Sequence, residues 1–312
     1  MAASVSAFII RGCLIYIKNS SSSFKNKLEL IGSQFSSLRE FKQASVKEID
    51  QLQNGKKLTQ AEKKAIKELQ NEINIDWSLE ENFIQILTKD FIANQLKKID
   101  DLTIENLNAN PLLCYALKFD NVKEFVKYYT YQAVSRSIVT SMGYFVQSLL
   151  LYSNEYIHDG KDYKEGEKTK FDLVTDKNGK KIFFEIKSGF NDLDKGQITH
   201  YFKEISNVEK KGNKAYIGIT YGKKNSRTVT SDLLERYVKN WRDNVLVGQE
   251  LWDNISNKKQ YHSTLSNTIS KTANAVLHNT CIVKKIEKKV KSLIREFSSR
   301  YNSMDDYYNS LW

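Results

Sequence analysis

Two short apolar runs, Phe171 to Thr175 (FDLVT) and Lys181 to Lys187 (KIFFEIK), flank Asp176-Lys177-Asn178-Gly179-Lys180. Asn-Gly between such runs is the strongest short-range hairpin signal, because both loop positions favour residues that tolerate positive φ. With Asn178 and Gly179 as the loop, Lys177 faces Lys180 and the register of every other pair follows. Asp172 then lies opposite Glu185. Side chains alternate along a strand, so Glu185 and Lys187 share a face. Phe184 and Ile186 point the other way, joined by Phe171 and Leu173. One face of the hairpin is therefore expected to be core, and the other to present Asp172, Glu185 and Lys187 together.

Facing Cβ atoms in an antiparallel pair sit about 4.5–5.5 Å apart, and like charges there are destabilising. A fold built only for stability avoids that arrangement; one that holds a divalent cation needs it. Mg²⁺ takes oxygen ligands at about 2.0–2.1 Å, commonly one or two carboxylates with water and substrate phosphate. Two carboxylates on adjacent strands with a lysine one step along suit metal-assisted phosphodiester hydrolysis. In that chemistry Lys187 orients the water or stabilises the charge developing on phosphorus.

The surroundings read as an α/β core. A long helix from about Ala133 to Tyr152 is apolar almost all round and is expected to be deeply buried, with Gly143 marking a close approach. Beyond the hairpin, Leu193 to Val208 reads as a helix, Lys214 to Tyr221 as a strand and Asp232 to Val245 as a helix. Helix, hairpin, helix, strand implies a mixed sheet flanked by helices. The region ahead of it is helical. Thr59 and Glu62 form a capping box that opens Gln60 to Gln70. Two short helices around Gln53-Asn54-Gly55-Lys56-Lys57 resemble a helix-hairpin-helix grip on DNA backbone, with an ordinary helical hairpin as the alternative. The Ser20 to Ser23 run sets off the apolar first stretch, so residues 1–25 read as a poorly ordered arm, 26–131 as a helical region and 132–312 as the α/β domain.

The chain has 312 residues with 48 Lys+Arg against 37 Asp+Glu, a formal charge of +11 that points to an anionic partner, nucleic acid first. Hydrophobic residues at 40% exclude disorder over most of the length. The most apolar stretch, Ala7 to Ile17, is too short for a membrane span and is broken by Arg11. It also lacks the flanks of a signal peptide. Three widely spaced cysteines argue for a reducing cytoplasm and against both disulfides and a zinc cluster. The four histidines show no metal spacing, and no G-x-x-x-x-G-K-[ST] is present, so no nucleotide-driven motor is implied.

Asp172 followed by Glu185-Ile186-Lys187 on the next strand resembles the PD-(D/E)xK nuclease motif, with Phe171 at the weakly constrained proline position. The resemblance implies a restriction-endonuclease-like fold over roughly the last 180 residues, catalysis by Asp172, Glu185 and Lys187, and a metal site of Asp172, Glu185 and the Ile186 carbonyl. Glu185 to Asn191, Ile219 to Lys223 and Gly248 to Trp252 are similar to type II restriction endonucleases, nearest those cutting GGNCC-like interrupted palindromes. Many relatives carry a glutamate on the buried helix where this chain has Gln147. That accessory ligand is then absent, or supplied by Glu165 or Glu167. Gln197 and Tyr201, four apart, are also similar to a Q-x-x-x-Y element of recombination-type nucleases.

Loops at strand ends carry contacts in α/β proteins. Asn191, Lys195, Gln197, Lys223, Lys224 and Arg227 are therefore expected at DNA, lysine on phosphate and the others within reach of base edges. Cys281 to Phe297 reads as a basic amphipathic helix with a mainly solvated charged face. The sequence thus leads to a cytoplasmic, Mg²⁺-dependent type II restriction endonuclease acting on double-stranded DNA, with no membrane association. A palindromic target favours a homodimer, and the host would need a companion methyltransferase. Its rivals are a structure- or end-directed repair nuclease of the same superfamily and a non-catalytic DNA-binding protein.

Overall fold

The computed structural model describes residues 5–17, 22–51, 57–119, 121–154, 156–160, 170–177, 179–225, 228–278 and 280–312. The expected turn at 53–56, Glu165, Glu167, Asn178 and Arg227 lie outside them. In chain order the helices are α1 (Val5–Tyr16), α2 (Ser22–Ser33), α3 (Leu38–Gln43), α4 (Val46–Gln51), α5 (Gln60–Glu72), α6 (Leu79–Asp100), α7 (Pro111–Leu117) and α8 (Val122–Leu151). Strands β1 (Ile157–Asp159), β2 (Leu173–Lys177) and β3 (Lys180–Lys187) follow, then α9 (Lys195–Lys210), β4 (Lys214–Ile219), α10 (Val229–Tyr237) and β5 (Val245–Val247). The chain ends with α11 (Gln249–Ser256), α12 (Tyr261–Leu277), α13 (Ile282–Arg300) and α14 (Met304–Asn309). No described helix is long and apolar enough to cross a membrane.

Two compact units result, one of residues 1–87 and 143–269, the other of 88–142 and 270–312. The boundary expected near residue 132 falls inside α8, which is one continuous helix. The first unit holds a helical core and the sheet. Residues 5–16 are not an arm. They form α1, whose Phe8, Ile9 and Cys13 are fully buried with Phe24, Leu28 and Leu69. The apolar run that looked detached is the packed face of this helix. Gly12 and Gly32 allow its close approach: a Cβ at Gly12 would stand 2.6 Å from Leu69, and one at Gly32 2.5 Å from Ser6. Arg11 lies with its guanidinium 4.4 Å from the centre of the Tyr152 ring. The Thr59/Glu62 capping box forms as expected. Glu62 also takes the ammonium of Lys27 at 2.9 Å, both groups being buried.

The five strands lie in the order β1-β2-β3-β4-β5. The hairpin adopts the expected register, Lys177 opposite Lys180 and on through Leu173 opposite Phe184, with Gly179 at φ +75°. β4 joins β3 in parallel and β5 joins β4 in parallel. Parallel neighbours need crossovers, which α9 and α10 supply. A mixed sheet flanked by helices was the expectation, and it holds; β1 and β5 are additions. Each is only three residues long, below the length at which alternation is readable. The helix expected through Val245 ends instead at Tyr237, and a 3₁₀ turn at Trp241–Asp243 leads into β5.

Helices cover both faces of the sheet. On one, α9 packs Ile198 and Ile205 with Ala215, Ile217, Ile219, Val245 and Val247. On the other, Gly218 sits against Leu251 of α11 and Ile186. The face carrying Glu185 and Lys187 is therefore covered rather than solvated, as expected where strands run parallel. Phe171 also belongs to this face, 5.6 Å from Phe183 between ring centres, and not with Leu173 and Phe184. The chain bends at Phe171 and Asp172, which breaks strict alternation. Helix α8 runs 30 residues and leaves Val139 and Tyr144 exposed, so it is not buried all round. A Cβ at Gly143 would meet only Ser188 Oγ, at 4.0 Å, so the glycine marks no tight contact.

The second unit is built around Phe125, Val126 and Tyr129 of α8, packed with Ile286, Val290, Leu293 and Phe297 of α13 and with Tyr307. Helix α13 has the expected amphipathic pattern. Lys284, Lys285, Lys288, Lys291 and Arg295 are exposed.

Candidate active site

Strand β3 is the sheet's central strand, antiparallel to β2 and parallel to β4. That position buries Glu185 to 5% exposure and leaves Lys187 partly exposed near the strand's end. The two side chains lie on one face, and Lys187 Nζ donates to Glu185 Oε1 at 2.8 Å. It also donates to the hydroxyl of Tyr201 on α9 at 3.2 Å, with the ammonium 4.9 Å from the ring centre. Burial alone would lower the lysine pKa. Hydrogen bonding and charge attraction from Glu185, then from Tyr201, outweigh it and hold the pKa above its ordinary value. The Tyr201 hydroxyl is pushed up by burial and by Glu185, against the opposing ammonium. The lysine thus stays a cation at neutral pH, and the tyrosine stays protonated.

Asp172 is the residue just before β2, at the bend. Its Oδ2 accepts the Ile186 N–H at 2.9 Å. The backbone of Lys187 serves β4, because Thr220 N–H donates to the Lys187 carbonyl at 3.1 Å. Backbone groups of successive strand residues point to opposite edges. The N–H and C=O of Ile186 accordingly face the β2 side, where pairing has stopped and the aspartate carboxylate has taken over. One edge of β3 therefore gathers the Asp172 carboxylate beside the Ile186 backbone. The bend is held by β1: Gly160 N–H donates to the Asp172 carbonyl at 2.8 Å. A Cβ at Gly160 would lie 1.9 Å from the Phe171 carbonyl oxygen, so only glycine fits there.

The loops after β3 and β4 run side by side. The Thr220 hydroxyl donates to the Ser188 carbonyl at 2.7 Å, and Gly189 lies against the Tyr221 ring. The two other stretches singled out in the sequence meet here. Gly248 N–H donates to the Ile219 carbonyl at 2.8 Å, and the Trp252 indole donates to the Thr220 carbonyl at 2.9 Å. Gly248 is at φ +57° and Gly222 at φ +111°, and a Cβ at Gly248 would stand 2.9 Å from the Gly222 carbonyl oxygen.

The expected DNA contacts among the described residues have differing engagements. Asn191 lies in the 3₁₀ turn Phe190–Asp192 that follows β3. Lys195 stands over the Tyr237 ring at 4.5 Å. Gln197 closes a capping box with Asp194 at the start of α9. Lys223 is exposed, whereas Lys224 pairs with Glu250 at 3.0 Å. Gln147 lies on α8 one turn beyond Gly143, the residue that faces Ser188. Sequence reasoning missed the role of Tyr201 as a partner of Lys187, its only signal being the spacing from Gln197. It also missed Gly160, for which no local pattern exists.

Among the described residues no three His, Cys, Asp or Glu side chains converge on one point. Asp172 and the Ile186 carbonyl at this edge, and Glu185 on the adjoining covered face, offer hard oxygens with neither sulfur nor imidazole. That set suits Mg²⁺, which keeps several waters and takes few protein ligands.

Residues 79–276 match the family model described as type II restriction endonuclease EcoO109I. No curated protein matches the sequence.

Proposed function

The chain belongs to the type II restriction endonuclease EcoO109I family, and on that premise we propose that it cuts both strands of DNA at a specific sequence by Mg²⁺-dependent phosphodiester hydrolysis at Asp172, Glu185 and Lys187. The observation that carries the reading is the ion pair of buried Glu185 with half-buried Lys187 on β3, beside a carboxylate fastened to the Ile186 amide.

In this reading Asp172, Glu185 and the Ile186 carbonyl hold the ion. When bound, it supplies positive charge at the scissile phosphate and a more acidic water. Lys187, kept protonated by its partners, donates to a non-bridging phosphate oxygen where negative charge develops. Tyr201 holds the ammonium from the α9 side when the glutamate is engaged elsewhere. Asp172 keeps its place through the Ile186 N–H and so needs no reorganisation on metal binding.

Asn191, Lys195, Gln197, Lys223, Lys224 and Arg227 contribute the DNA contacts, and a GGNCC-like interrupted palindrome is the target class. A two-fold target is matched by a homodimer. A companion methyltransferase protects host DNA, and the enzyme acts in the cytoplasm. Incubation of purified protein with plasmid and Mg²⁺ tests this directly. Discrete fragments support restriction. A ladder or smear means a repair-type nuclease instead, and a gel shift without cleavage means a binding protein.

A further inference from the structure

The loop after β4 presents one large side chain to solvent at the end of the catalytic strand. Tyr221 is 67% exposed, and among the described residues no hydrogen bond or ring–ring contact engages it. A lone exposed aromatic is ordinary on a protein surface; the seat of this one is not. Lys187 faces Ile219 in the parallel pair, so continued alternation carries Gly189 and Tyr221 onto the face of Lys187. Gly189 follows Lys187 by two residues, at most about 7 Å of chain. The hydroxyl end of the Tyr221 ring fills the space above it: a Cβ at Gly189 would stand 2.5 Å from the hydroxyl oxygen and 2.8 Å from the ring carbon that bears it. Gly189 is at φ −153°, extended backbone that any residue adopts. The ring, and not the backbone, therefore requires glycine there. Thr220, just before the tyrosine, is fixed on three sides. Its N–H donates to the Lys187 carbonyl at 3.1 Å, its hydroxyl donates to the Ser188 carbonyl at 2.7 Å, and its carbonyl accepts the Trp252 indole at 2.9 Å.

A side chain held at its root and its tip, open to solvent and set beside the catalytic lysine, is placed for a partner that arrives from solution. A ring already ordered loses little further freedom when it is covered, and its apolar area gains when water leaves. We propose that Tyr221 is a DNA-contact residue: its ring packs against the deoxyribose of the nucleotide adjoining the scissile phosphate and holds that strand in place over Lys187. A sugar contact carries no base information, so Tyr221 serves placement and not the reading of sequence. The inference rests on the cleavage reading and adds to it an uncharged residue that neither the nuclease motif nor the charge pattern points to.

Two measurements on full-length protein test it, both with a duplex carrying the cut site mapped from wild-type cleavage of plasmid. Nitration by tetranitromethane in EDTA, read by peptide mass spectrometry, reports access to Tyr221; saturating duplex should suppress it severalfold. Single-turnover cleavage in Mg²⁺ is the second. Tyr221→Ala should cut about a hundredfold more slowly, the effect of misplacing the reacting group by about 1 Å, with a smaller change in affinity for the duplex in EDTA. Tyr221→Phe keeps the ring and should restore the wild-type rate. Gly189→Ala should slow cleavage as Tyr221→Ala does, because its methyl evicts the ring. In the Tyr221→Ala background the same methyl should add no further loss, the non-additivity expected of two residues in contact. Nitration unchanged by duplex, or a wild-type rate for Tyr221→Ala, overturns the inference and leaves the cleavage reading standing. Wild-type protein that cuts no plasmid overturns both.

Discussion

Gly160→Ala is the substitution that separates the placement of Asp172 from its chemistry. The added methyl would stand 1.9 Å from the Phe171 carbonyl oxygen and 3.0 Å from its carbon, so β1 and the bend must part by more than an ångström. Such overpacking costs about 1–3 kcal/mol. The Gly160 N–H to Asp172 carbonyl bond, 2.8 Å long, is stretched or lost for about 1 kcal/mol more. A total of about 2–4 kcal/mol corresponds to a fall in Tm of roughly 5–12 °C for a domain of this size. The larger effect is on rate. Asp172 moves with the bend, and misplacement of a reacting group by about 1 Å costs on the order of a hundredfold. Thermal melts and single-turnover cleavage of a plasmid, both below the variant's Tm, read the two effects separately. Gly143→Ala is the control: its methyl meets only Ser188 Oγ at 4.0 Å. Replacing a helical glycine there should raise stability by up to about 1 kcal/mol and leave cleavage unchanged. A Gly160→Ala protein with wild-type Tm and wild-type rate would refute the claim that β1 fixes the aspartate.

Tyr201→Phe keeps the ring beneath the ammonium but removes the hydroxyl that accepts from Lys187. Single-turnover rates should fall by about tenfold, near the worth of one hydrogen bond to a charge, with DNA affinity in EDTA unchanged; an unaltered rate would remove Tyr201 from the site. In the helical core, Lys27→Met leaves the Glu62 carboxylate buried without its cation, and breaking such a pair costs about 3–5 kcal/mol by chemical denaturation. Burial pushes the Glu62 pKa up, but Lys27 and the Thr59 amide outweigh it and hold it below the ordinary value. The stabilisation from Glu62 is therefore complete above the unfolded-state pKa and is lost as pH falls through the lowered folded value. Melts across the acid range should show that loss in wild type and its disappearance in Lys27→Met.

The hairpin was legible because its turn chemistry and alternation point to the same register, and register alone put Glu185 and Lys187 on one face. The bend at Phe171 was not legible, since it is imposed by Gly160, just after a strand whose three residues carry no pattern of their own. The same limit hid β5, where Val245, Leu246 and Val247 are all buried and periodicity cannot tell strand from helix. Helix α1 was misread for a different reason. A short apolar run beside a serine tract has the texture of an arm, and only its partners, Leu28 and Leu69, reveal it as core. Burial of the active-site face escaped the sequence because the helix that covers it, α9, spends only Ile198 and Ile205 on full burial. Tyr201 on the same helix then reads as surface until Lys187 is seen beside it.

Glu185→Gln tests the central claim most directly, because it preserves shape and burial while removing the charge that pairs with Lys187 and would hold Mg²⁺. The measurement is single-turnover cleavage of plasmid in Mg²⁺ by folded variant protein, alongside its DNA affinity in EDTA. Cleavage should be abolished, with affinity equal to or tighter than wild type, since a negative charge facing the phosphate has gone. Asp172→Asn should behave likewise. Cleavage by Glu185→Gln at near the wild-type rate would contradict the assignment of this edge of β3 as the catalytic centre.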